Sequence, residues 1–430
     1  MNQNRFSAAA VELDITPPPG YKLDGYASRT EISPGMHDPL MGQILLLKSE
    51  EKQIMLICLD LVGVSLDFTT WLRQEIQQSI GIPPEHLLIA CSHTQSGVAG
   101  FMPPQPGIPS CLDPDLQHKV GNQLISAARM AYQQLQPAQL GIGRGNVEGI
   151  GLNRNDPYAT VDNEVIVLRV DSDSGDPLAV LMNYGCHPTV LGYSNLFYSA
   201  DYPGAARTNL RKIYPNTLFM YTNGASGDVS TRFTRREQTF QEVERMGRIL
   251  AGEVLKIMQT ITTHPASYLA SLITPIELNF RSFPPELEAT QELERLQSEL
   301  QALKAAGANH GDIRKATTRV EGATGQLLMH KDLAGITSYT SQLQVMIIDE
   351  LALVGLPGEP FSRTVLEIKQ KSPLPNTAVV SYANDYRGYF PDADAIERKS
   401  YEALVSPYGA EVSALLCDTA LELIRRSVNV

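Results

Sequence analysis

Leu87–Gly100 reads LLIACSHTQSGVAG, and the break inside this stretch sets the class of the fold. The apolar run Leu87–Ala90 stops abruptly at Cys91-Ser92-His93-Thr94-Gln95-Ser96-Gly97. A short apolar run without alternation reads as a buried strand, and the polar residues after it as the loop at its carboxyl end. Such loops are where α/β proteins place their chemistry. Three later segments share the form: Asn183-Tyr184-Gly185-Cys186-His187, Thr222–Thr231 (TNGASGDVST) and Gly355–Glu359 (GLPGE). Each ends in residues able to meet His93.

Upstream, Ile54–Asp60 is a buried-strand pattern. Ser65 or Asp67 can cap a helix carrying Trp71, Leu72, Ile76 and Ile80, which Gly81 and Pro83-Pro84 stop. Strand, helix and strand then form a βαβ unit, which requires parallel neighbours. Gln43–Lys48 and Val11–Gly20 supply earlier strands. Downstream, the Pro- and Gly-rich stretch Gly100–Asp115 predicts a long loop, a candidate lid or pocket wall. A helix over Leu116–Leu135, a strand over Gln139–Arg144 and a loop over Gly151–Pro157 follow. Next come a hairpin of Glu164–Val170 with Leu178–Tyr184, a helix from Ala200 to about Ile213, a strand over Thr217–Tyr221 and a helix over Phe233–Met258.

Composition then shifts. Glu286–Ala306 carries Leu293, Leu296, Leu300 and Leu303 on one stripe, and a second helix follows the break at Gly307–Gly311. This predicts a helical hairpin at about 284–335, either packed on its own core or serving as a lid or a homo-oligomer arm. Strands resume at Gln344–Ile348, Leu351–Gly355 and Ala378–Tyr382, and Glu411–Arg426 is the last helix. The expected fold is α/β, with mixed sheets flanked by helices in a single catalytic domain over 1–430, bearing the hairpin as an insertion.

The net charge of −12 argues against a nucleic-acid surface and against attraction to anionic lipid. The amino terminus lacks the apolar core of a signal peptide, and no run of about 18 apolar residues predicts a membrane span, so no stable membrane anchor is expected. Five scattered cysteines without a CxxC fit reduced thiols and a cytoplasmic location. Cys91 and Cys186, although close to candidate ligands, read as small buried strand residues.

Zinc sites combine imidazole and oxygen donors around an open position. His93 and His187 at strand ends, with Glu359 in a Pro-Gly turn, are such donors, although the chain has no HExxH and no zinc ribbon. Gly224–Thr231 could present Ser230 as a nucleophile over an amide-lined oxyanion site, or could simply start a helix with Asp228 or Ser230 as its cap. The chemistry alone favours the cap. There is no GxSxG elbow and no phosphate-binding GxxxxGK[ST] loop.

In order along the chain, these blocks resemble the neutral (non-lysosomal) ceramidase family, zinc amidases that split N-acyl-sphingosine. The likeness runs from about Val11 to Gly409, with a poor middle between about Ile261 and Gln342. Gly35-Met36-His37 resembles an early Gly-Ile-His block. Ser92–Gly97 resembles Thr/Ser-His-Thr-His-Ser-Gly, which implies His93 as a zinc ligand. Asn183–His187 and Pro357-Gly358-Glu359 imply His187 and Glu359 as further ligands, and Asn384–Tyr389 (NDYRGY) implies Tyr389 as the fourth. Asn153-Arg154 implies an active-site arginine, Arg154. Gly227-Asp228-Val229-Ser230 implies a nucleophilic or acyl-contacting Ser230, and Lys399–Ala403 places Tyr401 near the scissile group.

The chain departs from the family pattern in three ways. Gln95 stands where the family has a proton-carrying histidine, and Thr231 where it has a proline. By that pattern neither the family's carboxyl-terminal immunoglobulin-like domain nor its secretion signal is expected from these residues. A glutamine can hydrogen-bond a water or an oxyanion but cannot shuttle a proton.

The resemblance therefore implies a Zn²⁺-dependent amidohydrolase acting on a small or lipid-like N-acyl amide. In it Arg154 and Tyr401 steady the oxyanion, Gln95 lines the loop, water or Ser230 attacks, and Asp228 and Asp201 orient ligands. Two alternatives stay open: true ceramide hydrolysis, with a pocket partly built from Pro103–Leu112, and a non-catalytic metal-binding sensor, which Gln95 favours.

Overall fold

The computed structural model describes residues 6–26, 28–105, 111–308 and 310–428. Eight strands form the larger sheet, in the order Leu87–Cys91, Gln53–Leu59, Met41–Lys48, Ser7–Asp14, Gln136–Asn146, Glu164–Ser172, Pro177–Tyr184 and Leu218–Asn223. The outermost pair at each edge is parallel and every pairing between them is antiparallel. The parallel pair Gln53–Leu59 and Leu87–Cys91, joined by the helix Leu66–Ile80, is the expected βαβ unit. Its helix is capped as its sequence dictates: Ser65 accepts from the Phe68 amide, and Gly81 closes it in the left-handed region at φ +77°. A second sheet holds Leu269–Asn279, Ser338–Ile348, Leu351–Gly355 and Asn376–Val380, the last two parallel.

The strands are apolar on both faces because both faces are covered. Ile44, Leu46, Met55 and Ile57 pack under Leu66–Ile80 and the helix Pro114–Gln133. Their neighbours Leu45, Leu47, Ile54 and Leu56 turn the other way and meet Met346, Ile348, Leu351 and Leu353 of the second sheet. In the other half of the large sheet, Val165, Val167, Val180 and Met182 lie under the helices Asp201–Arg211 and Phe240–Met258. The outer face of the second sheet, Val345, Ile347, Ala352 and Val354, is covered by Ser362–Lys371 and Glu411–Val428. The result is four layers, helix on sheet on sheet on helix. With roughly 1.5–3 kcal/mol for each large apolar side chain fully buried, the face between the sheets is a principal source of cohesion.

Besides short elements such as Ala393–Glu397 and Tyr401–Leu404, two longer ones escaped the sequence reading, and one helix began late. Leu269–Asn279 contains Pro275, which argues against a strand, but it lies at a sheet edge where a missing N–H is tolerated. Ser362–Lys371 is a short helix directly after the Glu359 turn. The helix expected from Phe233 starts at Phe240, with Thr239 as its cap. Ahead of it, Arg235 Nη1 donates to Thr189 O (2.6 Å), and these tertiary bonds override the local propensity.

The helical hairpin is present as Glu286–Ala305 and His310–Asp332. Its second helix packs on the short helix Tyr401–Leu404, where Gly322 faces Leu404 and Gly325 faces Val405. Residue 309, within the expected break, and residues 106–110, in the expected pocket wall, lie outside the described residues.

The edges of the large sheet decide where chemistry is possible. Leu87–Cys91 and Leu218–Asn223 are its opposite edge strands, yet their carboxyl ends meet: Asn223 Nδ2 donates to Ser92 O at 3.2 Å. The segment Ser381–Asn384 spans both. Ser381 N donates to Asn223 O (2.8 Å), Cys91 N to Tyr382 O (3.2 Å) and Asn384 N to Ile89 O (2.7 Å). Both edges are thereby covered, and the loops that follow them are drawn together.

Candidate metal centre

His93 lies two residues beyond its strand and is held at φ +65°, a conformation an L-residue seldom adopts, by the bond from its amide to Leu61 O (2.9 Å). His187 follows Pro177–Tyr184, and its amide donates to Val229 O (3.0 Å). The close approach of these loops requires glycine. A Cβ on Gly185 would lie 2.6 Å from Ala225 N and O, and one on Gly227 would lie 2.6 Å from Glu359 O. Glu359 pairs with Tyr389 in a short parallel ladder, which puts the two side chains side by side.

His93 Nδ1 is 2.8 Å from Val62 O, and His187 Nδ1 is 2.5 Å from Ser226 O and 3.1 Å from Val229 O. A carbonyl only accepts, so both Nδ1 atoms carry hydrogen, and in the neutral ring the lone pair then lies on Nε2. Those Nε2 atoms are buried and make no hydrogen bond among the described residues. They point at Glu359: His187 Nε2 is 2.9 Å from Oε2, outside hydrogen-bond geometry, and His93 Nε2 is 3.7 Å from Oε1. The three donor atoms lie within 4.8 Å of one another.

Burial raises the Glu359 carboxyl, but His93, His187 and Arg154 together outweigh it and hold the group at about 2. Burial pushes His93 down to about 4 against the pull of Glu359. Two imidazoles and one carboxylate, all fully buried, therefore converge with neither Nε2 atom hydrogen-bonded among the described residues. Such a set is satisfied by a cation, and these residues fit a divalent metal of the zinc type. Cys91 and Cys186 are buried neutral thiols, raised by burial, and the cluster includes neither.

The other expected residues surround the cluster. Tyr389 is 9% exposed and its ring stacks beside His187 at 6.3 Å. The Arg154 guanidinium lies over Tyr389 at 5.1 Å, with Nη2 donating to Gly227 O (2.8 Å) and Nε 2.6 Å from Glu402 Oε1. Tyr401 meets Tyr389 edge-on at 6.3 Å, and burial raises its phenol to about 12. Ser230 is bridged to His187, and its Oγ accepts from Arg232 N at 3.4 Å. Gln95 is buried at the His93 loop, its carbonyl accepting from Arg29 Nη1 (2.9 Å).

Asp228 starts no helix of its own; it accepts instead from the first residue of the distant helix Ser362–Lys371, whose N-cap is Phe361. Its Oδ1 accepts from Ser362 N (2.8 Å) and Oγ (2.9 Å), and its Oδ2 from Asn153 Nδ2 (2.9 Å). Neither Asp228 nor Asp201 touches a histidine ring, because backbone carbonyls already occupy both Nδ1 positions. Asp201 instead orders the chain after His187, accepting from Leu191 N (3.1 Å) and Tyr202 N (2.7 Å).

Burial raises Asp201 to about 6 from an ordinary 3.8, so the folded state holds a proton that the unfolded chain has released. Its contribution is present below pH 3.8 and is lost as pH rises through about 6. Asp201→Asn is therefore expected to flatten the stability–pH curve between those limits by up to about 2–3 kcal/mol. Urea unfolding at several pH values measures it; an unchanged slope would remove Asp201 as its source.

Sequence reasoning missed Tyr382, Tyr386, Ser226 and Glu402. Tyr386 Oη donates to Glu359 Oε1 (2.5 Å), and Tyr382 Oη is 3.3 Å from Oε2 and 2.6 Å from Ser226 Oγ. Burial raises both phenols well above their usual range, so they remain donors. Glu402 completes the Arg154 ion pair. The signals were slight: Tyr386 lies within NDYRGY, and Glu402 directly follows Tyr401.

The sequence profile described as neutral/alkaline non-lysosomal ceramidase, N-terminal, matches residues 6–230. Neutral ceramidase A of Dictyostelium discoideum is 24% identical over 216 residues, 45% of this chain and 30% of that protein. Neutral ceramidase B of the same organism is 22% identical over 206 residues, 43% of this chain and 28% of that protein. The alignments thus span less than a third of these relatives. Among solved structures, the neutral ceramidase from Pseudomonas aeruginosa superimposes with a TM-score of 0.79 at 15% identity, over 99% of this chain and 75% of the other. A ceramidase complexed with C2 gives 0.74 at 14% identity, over 99% and 76%. At these identities the structural likeness establishes the fold, whereas the profile covers more than half of the chain, and by that measure the chain belongs to the neutral/alkaline non-lysosomal ceramidase family.

Proposed function

We propose that this protein is a zinc-dependent amidohydrolase that cleaves an N-acyl amide, ceramidase-like in its chemistry. The observation that carries the reading is the buried His93–His187–Glu359 cluster with both imidazole lone pairs turned inward. Tyr389, paired with Glu359 in the ladder, is the proposed fourth ligand. A zinc ion held there supplies a Lewis acid and lowers the pKa of water toward roughly 7.

The chain's own residues account for the rest. Arg154, clamped by Glu402 and Gly227 O, presents a fixed positive charge whose field reaches Glu359 and His93. A preorganised donor of this kind steadies negative charge developing on an amide oxygen by about 3–4 kcal/mol. Tyr401, at about 12, serves as a hydrogen-bond donor and not as a base at neutral pH.

A serine nucleophile needs a base to take its proton, but the hydrogen bond at Ser230 Oγ comes from the Arg232 amide, itself a donor. Water is therefore the proposed nucleophile. Ser230→Ala is expected to keep activity within about tenfold of wild type, whereas loss of a true covalent nucleophile costs several powers of ten. Initial rates on a short-chain N-acyl amide decide this, and a collapse to background would restore Ser230 to the attacking role.

The function is tested by assaying zinc-loaded and metal-stripped protein against soluble N-acyl amides, the corresponding esters and ceramide. Zinc-restored cleavage of an amide supports the proposal. Gln95 favours a second reading, a metal-binding sensor, since its amide cannot carry a proton. Full zinc occupancy without turnover of any substrate would select that reading.

A further inference from the structure

Three of the four proposed ligands, His93, His187 and Glu359, share an inner support that the ligand set alone does not explain. Tyr382 reaches each of them, His187 by way of Ser226. Its ring stacks on His93 with centroids 3.8 Å apart and planes 10° from parallel. Its hydroxyl is 3.3 Å from Glu359 Oε2 and 2.6 Å from Ser226 Oγ. Ser226 in turn offers its carbonyl to His187 Nδ1 at 2.5 Å. Tyr386 supplies the matching contact on the other side, donating to Glu359 Oε1 at 2.5 Å.

Tyr382 is also held at φ +57°, and for a bulky residue that conformation is a strained outlier that the surroundings must enforce. Backbone bonds do so: its amide donates to Gly358 O (3.2 Å), beside Glu359, and its carbonyl accepts from Cys91 N (3.2 Å), near His93. An aromatic residue needed only to fill the core gains nothing from a left-handed backbone.

We propose that Tyr382 and Tyr386 are positioning residues for the metal, one phenol on each oxygen of Glu359, fixing which carboxylate lone pairs remain for the ion. Each oxygen has two acceptor directions. A phenol on one of them leaves the other turned toward the imidazole that the same oxygen faces: Oε1 toward His93 and Oε2 toward His187. The phenols also stop the carboxylate from rotating toward either histidine alone. Tyr382 extends the constraint by stacking, so that His93, Glu359 and, through Ser226, His187 move as one unit. The inference rests on the metal reading proposed above and adds to it the residues that set affinity and coordination geometry.

The test compares Tyr382→Phe and Tyr386→Phe with wild type and with Tyr408→Phe, which removes a buried phenol whose ring packs on Phe280 and Phe390 and not on His93 or His187. Metal-stripped protein is titrated with Zn²⁺ against a competing chromophoric chelator, and the visible spectrum is recorded with Co²⁺. Each Phe variant at the cluster is expected to bind Zn²⁺ about 10–100-fold more weakly, the usual cost of losing a group that orients a ligand. Their Co²⁺ bands are expected to shift, and Tyr408→Phe to match wild type in both measurements. Should Tyr382→Phe fail to fold, Tyr386→Phe carries the test alone, since it leaves the stack on His93 intact. Wild-type affinity and an unchanged Co²⁺ spectrum in the folded variants overturn this inference and leave the hydrolase reading standing. A wild-type chain that takes up no divalent ion overturns both.

Discussion

Glu359→Gln is expected to lower bound zinc from about one ion per chain to a small fraction of that, and with it amide hydrolysis by at least ~100-fold. The magnitude is a lower bound, because even losing a group that only orients a ligand costs about 10–100-fold. The substitution keeps the shape of the side chain and an oxygen for one of the two phenols. It removes the anion that Tyr382, Tyr386, His93 and His187 surround. Alanine is the poorer probe, since it strips the buried Tyr386 phenol of this acceptor, at about 1–3 kcal/mol, and leaves Tyr382 with Ser226 alone. Melting should be compared metal-free against metal-free, because bound zinc itself stabilises the fold. Elemental analysis shows whether the metal is lost, and the melting curve shows whether the chain is still folded. Wild-type zinc content in a folded Glu359→Gln protein removes this residue from the ligand set.

Arg154→Ala is the second large effect, and it acts on stability as well as on rate. The Arg154–Glu402 pair is nearly solvent-free, its side chains 9% and 2% exposed. Removing one member of such a pair costs about 3–5 kcal/mol, mostly because the other charge stays buried alone. Activity is expected to fall about 10²–10³-fold if Arg154 steadies the oxyanion. The double variant Arg154→Ala/Glu402→Gln separates the two roles: it should regain much of the stability and none of the activity. Recovery of both would make Arg154 structural only.

The pH dependence has a definite sign. Burial raises the Glu402 carboxyl, but Arg154 together with hydrogen bonds from its own backbone, Asn155 and Ser400 more than offsets this, so its folded value lies below the ordinary 4.5. That stability is present above the ordinary value and is lost as pH falls through the folded one. Without Arg154 the largest opposing influence is gone, leaving only hydrogen bonds from Asn155, Ser400 and the backbone against burial, and the carboxyl moves up. The gap between wild type and Arg154→Ala should therefore be widest near neutrality and narrow as pH falls toward the ordinary carboxyl range. A gap constant with pH would mean that Glu402 is not the stranded charge.

By itself the sequence determined the strand-and-loop rhythm and the donor types. Strands with both faces buried read as apolar runs, and a run that stops at polar residues marks a loop, so Leu87–His93, Asn183–His187 and Gly355–Glu359 were legible within windows of a few residues. Ser65, Gly81 and the leucine stripe of Glu286–Ala305 were legible for the same reason, since capping and periodicity are local. Pro275 misled because its effect depends on whether the strand lies at an edge, and the onset at Phe240 because Arg235 is bonded to Thr189 far along the chain.

Only the tertiary structure decided which atoms face inward. The meeting of two opposite edge strands under Ser381–Asn384 brings residues 93, 187 and 359 together. The carbonyls of Val62 and Ser226 assign the imidazole tautomers, and Tyr382, Tyr386 and Glu402 acquire their roles by contact alone. A tyrosine or glutamate in a row of residues carries no trace of its partner. Burial and distance, which set its protonation and its worth, exist only once the chain has closed around it.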